Sequence, residues 1–357
     1  MKDRIRYLAA LPAISLLLAA CAQATPTALP TILPATPAGS AVLKGYGISP
    51  FGFPADYSHY PQFLEEVSGL PNGAVMFNGA WRDAIATSGQ PPQAAVGLMQ
   101  AAAQYGFTPI IVFGWRSSNA QLHLDVPSDP TNNWSNPDAR SLFIEMLAGF
   151  AAQYQPPYIF LGNESDDYFI AQPEDYVRWI EVYNQAYDAI KDASPATQVG
   201  PIFQYERMAG LGTLNGWDEA HWGALDAHDM SKVDILGVTL YPWFSAALPE
   251  EIPDDYLAPL VERAAGKPIA ITETGWPADT LGLPAPWQAS PQAQVDYVNA
   301  LRRITGGTNL RIVNWLFINP LNATPDSLEV QLFGSISLRD ASGDKRPAYD
   351  AWVNFLP

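Results

Sequence analysis

The chain of 357 residues is 48% hydrophobic and carries 11 Trp, 16 Tyr and 15 Phe, enough to fill one large core or two modest ones. Its net charge of −17, from 36 acidic against 19 basic residues, would repel phosphate backbones; this argues against nucleic acid as a partner and leaves neutral polymers open. Cys21 is the single cysteine, so disulfides within the chain are excluded and a thiol nucleophile has no other candidate.

The first forty residues stand apart from the rest. Met1 to Arg6 is a basic start, and Tyr7 to Ala20 is an apolar run too short to be a good spanning helix. It ends in Leu18-Ala19-Ala20-Cys21, which resembles the lipobox of bacterial lipoproteins. The resemblance implies a signal peptide over residues 1–20, cleaved before Cys21, which then carries the lipid. Residues 21–40 hold little but Ala, Thr and Pro, with Pro26, Pro30, Pro34 and Pro37 spread along them. Such a composition cannot pack a core and forms an extended tether of roughly 3 Å per residue. Export is expected, with a lipid on Cys21 anchoring the protein to the outer face of a bacterial membrane, at the cell surface or in the periplasm.

From residue 41 to 357, short apolar runs alternate with longer amphipathic stretches. The strands are expected at Val42–Ser49, Ala74–Asn78, Thr108–Gly114, Pro157–Glu164, Gln198–Phe203, Val233–Tyr241, Ile269–Glu273 and Leu310–Phe317. Helices are expected at Pro61–Ser68, Pro92–Tyr105, Asp138–Tyr154, Pro173 to about Asp192, Asp254–Ala265, Pro291–Thr305 and Arg346–Phe355. Strands such as Ile269-Ala270-Ile271 are wholly apolar, as in a parallel sheet buried on both faces. Eight such strands alternating with helices match a single (β/α)₈ TIM barrel, for which about 250 residues is typical. The rival is a pair of doubly wound domains, as in a solute-binding lipoprotein. It would need a crossover linker near the middle, and none is visible.

Two strand ends present acids. Strand four ends Leu161-Gly162-Asn163-Glu164 and strand seven ends Thr272-Glu273-Thr274. The carboxyl ends of barrel strands carry the catalytic groups of such enzymes. Two carboxylates about 5 to 5.5 Å apart can perform retaining glycoside hydrolysis, one attacking the anomeric carbon and the other protonating the leaving oxygen. The acid must hold its proton near neutral pH, which burial and a second carboxylate both favour.

The pattern of Asn-Glu on strand four and Glu on strand seven resembles the clan of (β/α)₈-barrel retaining glycoside hydrolases. Ile269-Ala-Ile-Thr-Glu-Thr-Gly-Trp-Pro277 is most similar to the signature of the family 17 β-1,3-glucanases and glucan transferases, with Leu161–Glu164 and Thr239-Leu-Tyr-Pro242 in support. The resemblance implies Glu164 as acid/base, Glu273 as nucleophile, Asn163 holding a sugar 2-hydroxyl and Tyr241 bonded to the nucleophile. Ala278 departs from the family 17 pattern, and the tail from Gly334 to Tyr349 is closer to other families of the clan. Family 53 galactanases share the Tyr-Pro-Trp and Glu-Thr-Gly patterns, but their characteristic strand-two segment is not found. The implied substrate is a β-linked polysaccharide or oligosaccharide, β-glucan first, with transglycosylation open and the enzyme a monomer. A non-catalytic glycan-binding lipoprotein on the same barrel is the alternative.

Trp115, Trp243, Trp276 and Trp315 fall at or just after strands three, six, seven and eight, where indole faces could stack on pyranoses. Asn78 and Arg116 are further strand-end candidates for substrate contact; Arg82 shares with Arg116 the option of orienting the nucleophile, and Asp166 and Asp167 that of tuning Glu164. His221, Asp226, His228 and Asp229 cluster after strand five without a recognised metal spacing. No phosphate loop, nucleotide fingerprint or serine elbow appears, so neither metal nor cofactor is expected.

Overall fold

Nine short parallel strands form a single sheet in the order β5-β4-β3-β2-β1-β9-β8-β7-β6. They are β1 (Leu43–Gly47), β2 (Gly73–Ala80), β3 (Thr108–Gly114), β4 (Tyr158–Leu161), β5 (Gln198–Gly200), β6 (Ile202–Gln204), β7 (Leu236–Leu240), β8 (Ile269–Thr274) and β9 (Leu310–Trp315). The structure, a computed structural model, describes residues 41–47, 60–80, 89–115, 133–282, 284–320 and 332–355. The expected signal peptide, Cys21, the tether, Arg82 and Arg116 lie outside the described residues. No helix among them is long and apolar enough to cross a membrane.

The nine segments are eight barrel strands. β5 and β6 are one run broken at Pro201, which has no N–H to give a ladder. β5 pairs with β4 and β6 pairs with β7, so the run closes the barrel across its own interruption. Between the strands lie α1 (Tyr60–Ser68), α2 (Gln93–Tyr105), α3 (Pro137–Tyr154), α4 (Asp166–Ala171), α5 (Pro173–Ala193), α6 (Tyr205–Met208), α7 (Gly223–Asp226), α8 (Ala258–Ala264), α9 (Pro291–Thr305) and α10 (Pro347–Val353). Local chemistry sets several starts. Asn136 accepts from Asp138 N at 2.9 Å ahead of Pro137, and Ser290 accepts from Ala293 N at 3.0 Å ahead of Pro291.

Alternation along each strand divides the apolar residues into two layers. Leu43, Ala74, Met76, Ile110, Val112, Phe160, Ile202, Ala270 and Ile312 fill the barrel interior. Their neighbours, such as Ile111, Phe113, Ile159, Val238, Ile271 and Val313, belong to the cluster packed beneath the helices. The short α4, directly after the Glu164 turn, has no counterpart among the expected elements. α8 opens four residues later than expected because Pro253 to Ala258 closes turns, with Ala258 N donating to Asp255 O at 2.8 Å.

Candidate active site

The two acids reach the barrel mouth by different devices. On β8, alternation from Ala270, which faces the interior, would send Glu273 outward. The register against β7 slips instead, with Val238 opposite Ile271 but Thr239 opposite Glu273. Thr272 is the extra residue of this bulge, its hydroxyl bonded to Val238 O at 3.1 Å. A bulge re-aims the side chain that follows it, and here it turns Glu273 inward.

After β4 the chain turns within a few residues. Gly162 has φ 79° and Glu164 has φ 51°. The left-handed region is unfavourable for a residue with a Cβ, so the backbone at Glu164 is strained and must be held by its surroundings. Ser165 N donates to Ile202 O at 3.0 Å and pins the turn to β6. A Cβ on Gly162 would lie 2.9 Å from Trp115 Nε1, so glycine is required there by space as well as by φ.

β7 and the residue that follows it supply a hydroxyl to each acid. Thr239 and Tyr241, two residues apart, share the lumen face. Thr239 Oγ1 donates to Glu164 Oε1 at 2.8 Å, and Tyr241 OH donates to Glu273 Oε2 at 3.0 Å. Asn163 Nδ2 donates to the other oxygen of Glu273 at 3.4 Å, a long contact. Burial first, then the charges of Glu273 and Glu164, raise the Tyr241 phenol well above its ordinary pKa, so it stays a neutral donor.

Arg207 closes the outer side of Glu164. Its guanidinium is 3.8 Å from Glu164 Oε2, 2.6 Å from the buried Asp166 and 3.7 Å from Asp167, so three carboxylates share one cation. Asp166 also accepts from Gln204 N at 2.7 Å. Asp166, Asp167 and Glu164 thus meet at Arg207, a residue for which the sequence offered no signal.

With this geometry in view, the comparisons are informative. Residues 145–308 match the model of Glycosyl hydrolase family 53, the second of the two families the motifs resemble. The barrel is of the glycoside hydrolase type. No curated protein sequence matches the chain. Among solved structures, an exo-β-1,4-mannosidase from Opitutaceae bacterium strain TAV5 superposes with TM-score 0.64 at 16% identity over 88% of this chain. The chain spans 59% of that protein. A GH5_18 protein from Bifidobacterium longum in complex with Manβ1-4GlcNAc gives TM-score 0.63 at 14% identity, over 88% of this chain and 77% of that one. An active-site mutant of a Rhizomucor miehei β-1,3-glucanosyltransferase in complex with laminaritriose gives TM-score 0.55 at 13% identity, covering 86% and 96%. At these identities the structural likeness speaks for the fold, and the fold alone does not choose a substrate.

In this glycoside hydrolase-type barrel the four strand-end tryptophans are not an open sugar platform. Trp115 is 2% exposed and packs on Trp134, Tyr168 and Trp179, with the Trp179 ring centroid 4.4 Å away. Trp315 packs on Tyr297 and Trp352 and donates to Ile336 O at 2.8 Å. Trp276 packs on Tyr297 and donates to Gln288 O at 2.8 Å. These three belong to the cluster packed beneath the helices, and for Trp315 alternation along β9 from Ile312 sets that side. Trp243 is also buried, but it stands beside Tyr241 with ring centroids 6.2 Å apart. The partly exposed aromatics at this end are others. Phe333 lies 5.3 Å from the Tyr241 ring, Trp287 lies 4.8 Å from Trp243, and Trp217 lies 4.8 Å from Phe244 with Arg207 over its face.

Asn78 lies on β2, but its side chain is outside what is described. The histidine cluster does not converge. His228 is buried among Tyr176, Tyr183 and Phe203, while Asp229 accepts from Ser231 N at 2.9 Å in the next turn. Among the described residues no group of three or more His, Cys, Asp or Glu is arranged to hold a metal ion.

Proposed function

We propose that the protein is a retaining glycoside hydrolase acting on a β-linked glycan, with Glu273 as nucleophile and Glu164 as acid/base. The observation that carries this reading is the pairing of the two carboxylates at one barrel mouth, one bonded to a hydroxyl of β7 and the other to that of Tyr241 just after it. Glu273, bonded to Tyr241 and Asn163, is oriented by donors as an attacking carboxylate must be. Asn163 reaches Glu273 from the position next to Glu164, so the turn after β4 and the end of β8 meet at one mouth. Double displacement, which needs carboxyl groups about 5 to 5.5 Å apart, is the reading that the motifs favour. Asn163 Oδ1 is buried without a hydrogen-bond partner among the described residues and can accept from a sugar 2-hydroxyl.

In the first step Glu273 would attack the anomeric carbon as Glu164 gives its proton to the leaving oxygen. In the second, Glu164 would take a proton from water, or from a sugar hydroxyl in transglycosylation, as the glycosyl–Glu273 ester breaks. β-Glucan is the favoured substrate from the motifs. The family 53 match and the mannosidase-like barrels bring galactan and mannan next. Release of reducing sugar from β-1,3-, β-1,4- and β-1,6-glucans, galactan and mannan tests the reading. Glu273→Gln should abolish turnover of whichever glycan is cleaved, and Glu164→Gln should lower it by about 10²–10⁴-fold. Unchanged hydrolysis by Glu273→Gln, or inverted products, would refute the mechanism. Binding without any turnover by the wild type would favour a glycan-binding protein.

We also propose that the enzyme is exported and held to a membrane by a lipid on Cys21. The lipobox-like Leu18–Cys21 and the proline-rich stretch after it support this reading. Cys21→Ala in the full chain should move the protein from the membrane fraction to the soluble one; retention in the membrane would exclude the anchor.

A further inference from the structure

Glu206 has no part in the chemistry above, yet it is fully buried beside it. It lies on α6, directly after β6, and three donors converge on its carboxylate. Tyr241 N donates to both oxygens at 3.0 Å, Gln204 Nε2 to one at 2.6 Å, and Tyr256 OH to the other at 3.1 Å. A buried carboxylate is kept only where such donors offset its desolvation.

The bond to Tyr241 stands out because of where β7 ends. The ladder to β8 stops at Leu240 opposite Thr274, and Tyr241 is the next residue. The chain then enters a turn, with Phe244 N bonded to Tyr241 O at 2.9 Å. Glu206 thus gives the Tyr241 N–H the acceptor that a longer strand would have supplied. Tyr256 adds a second tie, its hydroxyl 2.7 Å from Ser245 Oγ at the end of the same turn. The connection runs from Gln204 through Glu206 to the Tyr241 backbone, and from the Tyr241 phenol to Glu273.

We propose that Glu206 is a positioning residue of the active site, holding the Tyr241 backbone so that the phenol hydroxyl orients Glu273. The inference rests on the functional reading above. Burial, opposed by the bonds from Tyr241, Gln204 and Tyr256, pushes the Glu206 carboxyl up to about 7, consistent with a group kept in place for its contacts.

The test is a double-mutant cycle of Glu206→Met and Tyr241→Phe on an aryl glycoside of the sugar that the wild type cleaves. Methionine keeps the shape and removes the acceptor. With Tyr241 present, Glu206→Met should lower kcat by about 10²-fold, the scale of a small misplacement of a reacting group, with KM little changed. In the Tyr241→Phe background the same change should lower kcat by less than threefold, because the hydroxyl it positions is gone. An equal factor in both backgrounds, or a wild-type kcat for Glu206→Met, overturns the proposal. If Glu206→Met does not fold, Glu206→Leu, which likewise has no acceptor, enters the same cycle, judged by the same non-additivity. Hydrogen exchange at the Tyr241 amide supplies a readout without turnover and should quicken in either Glu206 variant; unchanged exchange also overturns the proposal. A failed functional reading shows instead as absence of wild-type turnover on every glycan.

Discussion

His228 offers a quantitative test of the core beneath the site. Its ring is 5% exposed and meets Tyr183 at 4.6 Å and Phe203 at 5.6 Å, both edge-on, with Nε2 3.3 Å from Tyr176 OH. Burial holds its pKa down from 6.5 to about 3. The folded chain therefore refuses a proton that the unfolded chain binds below about 6.5. The stability it confers is complete above that pH and is lost as pH falls, by about 1.4 kcal/mol per unit. Over the interval from 6.5 to about 3 the loss reaches roughly 5 kcal/mol, as large as the entire stability of a weak domain. Glu206 has the opposite sign. Raised from 4.5 to about 7, it stays protonated in the fold where the unfolded chain ionises, so stability is lost as pH rises through that window. The two slopes oppose between 4.5 and 6.5. His228→Phe separates them, since it keeps a ring in the cage and leaves Glu206 untouched. Tyr176 stays satisfied, because its hydroxyl also lies 2.7 Å from Ala224 O. Urea unfolding, followed by tryptophan fluorescence between about pH 7.5 and 4.5, should show the variant gaining on the wild type by roughly 3 kcal/mol across that range. Parallel loss of stability in the two proteins would refute the reasoning.

Two further perturbations test the geometry. Gly162→Ala forces a Cβ into a left-handed backbone and against Trp115, and should cost about 1–3 kcal/mol in urea unfolding while lowering kcat through the displaced Asn163-Glu164 turn; unchanged stability would mean that the turn is not held as described. Trp315→Phe should lower stability by about 1–3 kcal/mol, through the lost bond to Ile336 O, and leave KM alone, whereas Phe333→Ala should raise KM with stability nearly unchanged. The reverse pattern would return the sugar to Trp315.

The barrel was legible because parallel strands buried on both faces read as apolar runs, and the limits of Thr108–Gly114 and Pro291–Thr305 agree residue for residue. The acids were legible as strand-end residues, but their side of the sheet was not. Counting by two from Ala270 sends Glu273 away from the lumen, and nothing in Thr272 marks the bulge that brings it back. The tryptophans failed for the related reason that position along a strand was read without its face. Alternation from Ile110 and Val112 already places Trp115 outside. Arg207 and Glu206 were hidden because their meaning lies in partners some forty residues back or ahead, which no local pattern records.

The proposed double displacement needs both carboxyl groups held in place while bonds form and break, and the end of β7 provides a hydroxyl bond to each. The hydroxyls that hold Glu164 and Glu273 come from Thr239 of β7 and from Tyr241, the residue that follows the strand. Both tethers therefore leave the same end of the barrel, one from the strand and one from the turn after it. β7 is itself confined, since at Gly237 a Cβ would lie 2.7 Å from Ile202 Cγ1 and 2.8 Å from Pro201 O. The break at Pro201 thus lies against the strand that carries Thr239 and leads into Tyr241. The short β6 that follows the break leads directly into Glu206 and Arg207, which meet Tyr241 and Glu164 respectively. One interrupted barrel strand therefore buttresses both acids, each through its own partner.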